Sequence, residues 1–445
     1  MSKLRGFLYF LPCISLFISF FSGCGGGERY VETGSVPIIV SENCSACHGT
    51  DIANTHYDDL STTTQIEGYV LDSAISWAPE GMGYVTKSSE KACSASCHDY
   101  HNGDMNINRQ LSKSGHEDIT AGAFTHSFSP SNSKCLRCHS GIGFASYVDS
   151  SNGTYPDWQT APTSEFKTHH ITCNACHDAT GYPSAANNKL RKTGSVILTN
   201  STYFDQEETL NVGNSASCLI CHQGTESGLS LYKTMKSKGV DPYDSTDGDL
   251  SSSAVGPHYH QAGAVLYSVK GYEFKFINGT ENLSKYSKSS GSTHQIINCT
   301  GCHMANSSDE NFGGHSFKVD MSICQGCHLD TTIFEARRAT IEELKTLVKT
   351  KLESQGIYYY PAGSRGNYFF IASGPPSATN TATNTWKESQ FEAAYNLLLV
   401  DKEPAAYIHN FKYAAQLLWD SCTALGVTSS VERPSGDRTA KDYSL

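Results

Sequence analysis

Apolar residues are spread unevenly along this chain of 445 residues. The first dense run, residues 7–21, follows Lys3 and Arg5 and ends at Ser22 and Gly23. A basic start, an apolar middle and a small-residue end are the order of an export signal, here over 1–23. The run is short for a membrane-crossing helix. From 44 to 330 apolar positions thin out among Ser, Thr, Asn and Gly, which predicts loops and short α-helices. Within that region, residues 265–267 and 272–277 alternate enough to predict one small β-hairpin around Lys270 and Gly271. Beyond 331 a helical period sets in. Ile341, Leu344, Leu347, Val348 and Leu352 mark an amphipathic helix over about 332–355. The polar stretch SGPPSATNTATN (373–384) separates it from a second helix marked by Trp386, Phe391, Ala394, Tyr395 and Leu398. Pro404 suits the first turn of a third helix, running to about 425. The pattern thus divides the chain into a signal (1–23), a Gly-rich tether (24–43), a loop-rich region (44–330), a C-terminal helical element (331–427) and a polar tail (428–445).

Only 38% of the residues are hydrophobic, a thin core for this length unless large apolar cofactors supply the missing packing. The net charge of −11 is spread without long acidic runs. It argues against nucleic acid or an anionic lipid surface as partner.

The cysteines supply the chemistry. Six stretches read Cys-x-x-Cys-His: CSACH (44–48), CLRCH (135–139), CNACH (173–177), CLICH (218–222), CTGCH (299–303) and CQGCH (324–328). A seventh, ACSASCHD (92–99), has three residues between Cys93 and Cys97, with His98 directly after. This pentapeptide is the attachment signature of c-type haem. Two thiols add across the vinyl groups of one haem, and the next residue, His, binds its iron. The paired thiols are Cys44 and Cys47, Cys93 and Cys97, Cys135 and Cys138, Cys173 and Cys176, Cys218 and Cys221, Cys299 and Cys302, Cys324 and Cys327. The motif histidines are His48, His98, His139, His177, His222, His303 and His328. Zinc sites need four ligands and no His after every second Cys. A disulfide framework leaves the repeated His unexplained. A redox Cys-x-x-Cys does not recur six times in one chain. The stretch at 92–99 also fills a wide gap in an otherwise loose repeat, so it is read as a seventh haem site whose loop bulges by one residue.

Three of the seventeen cysteines remain. Cys13 lies inside the signal. Cys24, after Phe21-Ser22-Gly23 and before three glycines, resembles the acylated cysteine of a bacterial lipoprotein signal, although Phe21 departs from the usual Leu. Cys422 shares helical spacing with Leu418, Trp419 and Leu425 and reads as a small buried residue.

Of eighteen histidines, seven stand in motifs and eleven remain. Seven of these would provide a second histidine for every iron. A histidine a few residues before its own motif lies on the wrong face of that porphyrin and serves a neighbouring haem. His126, His169, His170, His294 and His315 stand in that way. His409 is far from every motif, but it sits beside the apolar face of the helix that Pro404 opens. A buried histidine needs a partner, and among haems iron is the expected one.

Much of 93–425 resembles the outer-surface multihaem c-type cytochromes of dissimilatory metal-reducing bacteria. The resemblance rests on SKSGHED (112–118), CLRCHSGIGFASYV (135–148), THHITCNACHD (168–178), CLICHQGTESG (218–228), GPHYHQAGAVL (256–266), CTGCHM with GGHSF (299–317) and EPAAYIHNFKYAAQLLWDS (403–421). It implies that His116, His258, His294, His315 and His409 are distal iron ligands. His126 and one of His169 and His170, taken as His170, complete the set, and His260 stays undecided. The three-residue loop at 93–97 and the number of haems depart from the family's pattern.

The fold class expected is a multihaem cytochrome c, with loops and short helices packed around haems, one hairpin and a helical C-terminal element. The expected function is electron relay through seven c-type haems, with no catalytic residues. The expected location is a lipid anchor at Cys24 on the outer membrane, facing outward, with the periplasm or secretion as alternatives. Partners would be other cytochromes or extracellular electron acceptors. The rival reading is a multihaem reductase of a small oxyanion such as nitrite, which needs one iron with an open face. No motif replaces its His with Lys, one cue for such a haem.

Overall fold

The computed structural model describes residues 110–125, 135–149, 171–177, 190–199 and 206–444, with short gaps, together with the backbone of two strand pairs near the N-terminus. The signal, Cys24, the motifs at 44–48 and 93–98 (Cys44, Cys47, His48, Cys93, Cys97 and His98), His126, His169 and His170 lie outside the described residues, as does the side chain of Cys173. Among the described residues no helix is long and apolar enough to cross a membrane.

The expected short helices are present in the motif region. They are α1 (Gly122–Thr125), α2 (Leu136–His139), α3 (Gly141–Asp149), α4 (Cys173–Cys176), α5 (Ala216–Cys221), α6 (Gly228–Ser237), α7 (Ala262–Leu266) and α8 (Thr293–His303). Four of them, α2, α4, α5 and α8, carry haem motifs, and α2 packs on both α3 and α5. A small apolar cluster joins these parts through Phe144, Ala175, Val196, Leu198, Leu219 and Leu266.

Among the described residues strands occur as six antiparallel pairs and not as one hairpin: Tyr30–Thr33 with Val36–Ile39, Gln65–Ile66 with Tyr69–Val70, Ser195–Thr199 with Gln206–Asn211, Asp249–Ser251 with Thr385–Lys387, Phe276–Ile277 with Thr280–Glu281, and Tyr358–Ser364 with Asn367–Phe370. The hairpin expected around Lys270 and Gly271 is absent. Val265 and Leu266 are helical, and the hairpin turns later, at Asn278 and Gly279, both with positive φ. The cause is a buried Lys270, whose Nζ donates to the carbonyls of Thr199 at 2.7 Å and Gly224 at 3.2 Å. Residues 272–274 then satisfy their N–H groups on side chains. Tyr272 donates to Asn396, Glu273 to Tyr443 and Phe274 to Tyr286. An extended segment served by side chains has no need of a strand partner.

The C-terminal element is built as its periodicity predicts. Helix α9 (Thr332–Ser354) buries Phe334, Ile341, Leu344, Val348 and Leu352 on one face. It ends at Gly356, with φ 82°, where the N–H of Ile357 returns to the carbonyl of Leu352 at 3.0 Å. That is a Schellman closure, which favours glycine at the left-handed position. Helix α10 (Glu388–Asp401) is buried along most of its length. The third expected helix is broken in two: α11 (Ala406–His409) and α12 (Phe411–Ala424). Asn410 causes the break. Its side chain accepts the N–H of Tyr413 and so caps α12, while its Nδ2 donates to Ser268 Oγ at 2.8 Å. Helices α9, α10 and α12 pack against one another around the larger apolar core. Cys422 is buried there, its thiol pushed up to about 12 by burial.

Residues 428–444, the expected polar tail, lie against this core. Arg433 grips the fully buried Asp420 through Nε at 2.7 Å and Nη2 at 2.8 Å. Arg438 grips the fully buried Glu273 at 2.5 and 2.6 Å, and Tyr443 is buried.

Candidate haem-ligating histidine pairs

Each of the five motif histidines among the described residues faces a second histidine. His139 faces His258 with ring centres 6.0 Å apart. The corresponding distances are 6.2 Å for His177 and His315, 6.1 Å for His222 and His116, 6.2 Å for His303 and His409, and 6.0 Å for His328 and His294. Two metal–nitrogen bonds of about 2 Å, with each ring centre about 1 Å behind its nitrogen, separate such centres by about 6 Å. The spacing therefore fits one iron between each pair. Rings in direct contact can approach more closely, as His222 and His260 do at 4.9 Å. Among the described residues no group of three or more His, Cys, Asp or Glu is placed to hold a bare metal ion. Ligands arriving in twos suit a metal whose other four positions are filled by a porphyrin.

Local structure explains how the second histidines are presented. His116 stands in a turn whose carbonyl accepts the N–H of Ile171 at 2.9 Å, and its ring meets Phe317 edge-on. His258 and His260 have φ of 69° and 62°, uncommon for non-glycine residues. The buried Gln261 holds that loop, its Nε2 donating to the carbonyls of Pro257 at 2.6 Å and His258 at 2.9 Å. His315 lies in a 3-10 turn after Gly313, where a Cβ would come within 1.9 Å of the carbonyl oxygen of Ala305. His294 opens α8, which kinks at Asn298 (φ 52°, ψ −162°) before Cys299. The kink separates His294 from the motif beside it, and it is His328 of the next motif that His294 faces.

Several rings are fixed through Nδ1, which leaves Nε2 for a metal. Nδ1 of His139 donates to the carbonyl of Ala123 at 2.6 Å, that of His303 to Phe317 at 2.8 Å and that of His294 to Ile408 at 3.0 Å. Nδ1 of His409 donates to a carboxylate oxygen, Oε1 of Glu403, at 2.9 Å. Burial lowers His116 to about 4 and His222 to about 3, and each is further lowered by His260. These imidazoles stay neutral, the form that carries a lone pair for a metal.

The motifs also touch each other. Cys138 Sγ lies 3.8 Å from the carbonyl oxygen of Ile220, and Cys221 Sγ 3.4 Å from that of Arg137. The hydrogen bond between the two thiols pulls Cys138 down to about 7 and pushes Cys221 up. Cys218 and Cys299 form a similar pair, with Cys299 the lowered member. Burial pushes Cys176 up to about 11. The motif at 218–222 thus lies against both 135–139 and 299–303, past the intervening 173–177 in sequence.

Sequence reasoning left His260 undecided and passed over Glu403 and Gln261. His126 and His170 have no described position.

No family profile matches the chain. The C-type polyheme cytochrome OmcB of Geobacter sulfurreducens is 25% identical over 368 residues, covering 68% of this chain and 46% of OmcB. OmcC of the same species is 23% identical over 372 residues, covering 69% of this chain and 45% of OmcC. The chain therefore spans less than half the length of these relatives. The solved outer cell wall cytochrome OcwA aligns with 71% of this chain and 49% of its own, at 16% identity and a TM-score of 0.38. The chain is homologous to the polyhaem c-type cytochromes OmcB and OmcC.

Proposed function

We propose that this protein is an extracytoplasmic electron carrier holding seven c-type haems, each attached to one cysteine pair and ligated by two histidines. The observation that carries the reading is the set of five histidine pairs with ring centres 6.0–6.2 Å apart, each joining a motif histidine to one outside the motifs. On this reading His258, His315, His116, His409 and His294 would be the second ligands of the haems at 135, 173, 218, 299 and 324, which the ring spacings support. His126 and His170 serve among the haems at 44–48 and 93–98, whose own ligands are His48 and His98. The haems supply the one-electron chemistry. The chain's residues would hold them close, supply their histidine ligands and set their potentials. Two imidazoles and no thioether favour low potentials.

The homology to polyhaem cytochromes supports haem c and electron transfer to other redox partners, which for this chain would be cytochromes or extracellular acceptors. A lipid anchor at Cys24 would hold it at the outer membrane, facing outward. The reductase alternative gains nothing from relatives named as cytochromes. It also needs an open iron face, and every motif histidine among the described residues faces a second histidine.

Intact mass of the mature holoprotein tests the proposal. The expected excess over the polypeptide is seven haem masses, with ferric electron paramagnetic resonance showing low-spin iron only. Six haems, with Cys93 and Cys97 open to alkylation, would remove the variant motif from the set. A high-spin signal at full haem loading would restore the reductase.

A further inference from the structure

We propose that Glu403 tunes one haem: its carboxylate, bonded to the far side of His409, lowers the potential of the haem held by His303 and His409. The inference rests on the ligation assigned above.

The geometry is specific. Glu403 is 5% exposed and lies in the turn between α10 and α11. Its Oε1 accepts the Nδ1–H of His409 at 2.9 Å and the N–H of Ala405 at 3.2 Å. The main chain on either side is pinned as well. The N–H of Glu403 reaches the carbonyl of Val400, and its carbonyl accepts the N–H of Ala406 at 3.0 Å. The carboxylate is therefore held in place before any ligand binds. Three other ring nitrogens described above, those of His139, His294 and His303, donate to neutral backbone carbonyls.

That difference changes the ligand. A carboxylate accepting from Nδ1 draws the proton toward itself and leaves more electron density on Nε2. The richer imidazole stabilises ferric over ferrous iron. Burial strengthens the effect, because a charge-assisted hydrogen bond weakens less where water is excluded. One electron enters or leaves the iron, no covalent bond forms or breaks, and the proton stays between His409 and Glu403. The motif that binds the affected haem lies against the preceding one, the N–H of Thr300 donating to Ser215 Oγ at 3.2 Å. An electron would therefore rest less readily on this haem than on a neighbour with a carbonyl-bonded ligand.

The test compares potentiometric titrations of wild type, Glu403→Gln, Glu403→Asp and His409→Ala holoprotein. Glu403→Gln keeps the shape and removes the charge. It should make reduction of one haem, and only one, at least tenfold more favourable, about 59 mV upward for a single electron. Glu403→Asp keeps the charge at a poorer distance and should shift the same haem by less. His409→Ala should open one iron to carbon monoxide, and adding Glu403→Gln to it should move no potential further. If His409→Ala yields no carbon monoxide-binding haem, the ligation itself is wrong. If it does, but Glu403→Gln leaves all potentials unchanged or moves several together, the ligation stands and Glu403 is only structural. Full haem content in both Glu403 variants excludes misfolding as the source of a shift.

Discussion

Glu388, at the start of α10, gives a pH dependence that can be worked through. It is 8% exposed, and its Oε2 has no hydrogen-bond partner among the described residues. Burial, and then the nearby Asp247, push it from an ordinary 4.5 up to about 8. The neighbouring Glu392 is raised by burial and then by Glu388 itself. Between pH 4.5 and 8 the folded protein keeps a proton on Glu388 that the unfolded chain releases, so stability falls as pH rises through this window. At about 1.4 kcal/mol for each unit, the upper bound is about 5 kcal/mol. Water near the flanking aspartates screens part of this, and the helix N-terminus favours the charged form, so about half is expected. Glu388→Gln removes the titration and keeps the shape. Guanidinium unfolding followed by far-ultraviolet circular dichroism at pH 5, 7 and 9 should show the two proteins nearly equal at pH 5. At pH 9 the variant should be the more stable by about 2–3 kcal/mol. Glu392, which Glu388 also raises, is relieved in the variant, so the difference reports the coupled pair, with Glu388 as the group removed. Parallel stability curves across the three pH values would refute the reasoning.

Asp420→Ala strands Arg433 and the hydroxyl of Tyr286, which donates to Asp420 at 2.5 Å. Breaking this buried pair should cost about 3–5 kcal/mol, read as a lower denaturation midpoint, with the tail from 428 onward becoming sensitive to protease. Gly263→Val places its Cβ 2.7 Å from the carbonyl oxygen of His222. It should cost at least about 1–3 kcal/mol and lower occupancy of the haem at 218–222, measured by haem-to-protein ratio. Cys24→Ala should release the protein from the membrane fraction, and unchanged fractionation would end the lipoprotein reading.

The C-terminal helices were legible because their burial follows their period. Ile341, Leu344, Val348 and Leu352 are all inside. Pro404 located the start of the third helix, but the sequence reading passed over Asn410, whose side chain caps α12 and so breaks the helix. The hairpin at 270 was misread for the same kind of reason. Tyr272 and Phe274 alternate as a strand would, yet they serve Asn396 and Tyr286 rather than a neighbouring strand. Cysteine pairs show in the sequence because attachment chemistry fixes their spacing. The partner of each motif histidine does not, since nothing local joins His139 to His258. Glu403 carries no motif at all. Only the ring it touches distinguishes it from any other glutamate.

The pairing of histidines across the chain has a consequence for how the protein is made. Under the proposed ligation, each motif supplies its near ligand as soon as the thioethers form, because that histidine follows the second cysteine directly. The far ligand arrives only when a long loop closes, and such closures are slow. For the haem at 299 the wait lasts until α11 docks and brings His409 over the iron. During that interval His303 would be the one residue of its pair in place to hold the group. The second histidine lies downstream of its motif for His139, His177 and His303 and upstream for His222 and His328, so the order in which segments emerge would bear on the first three alone.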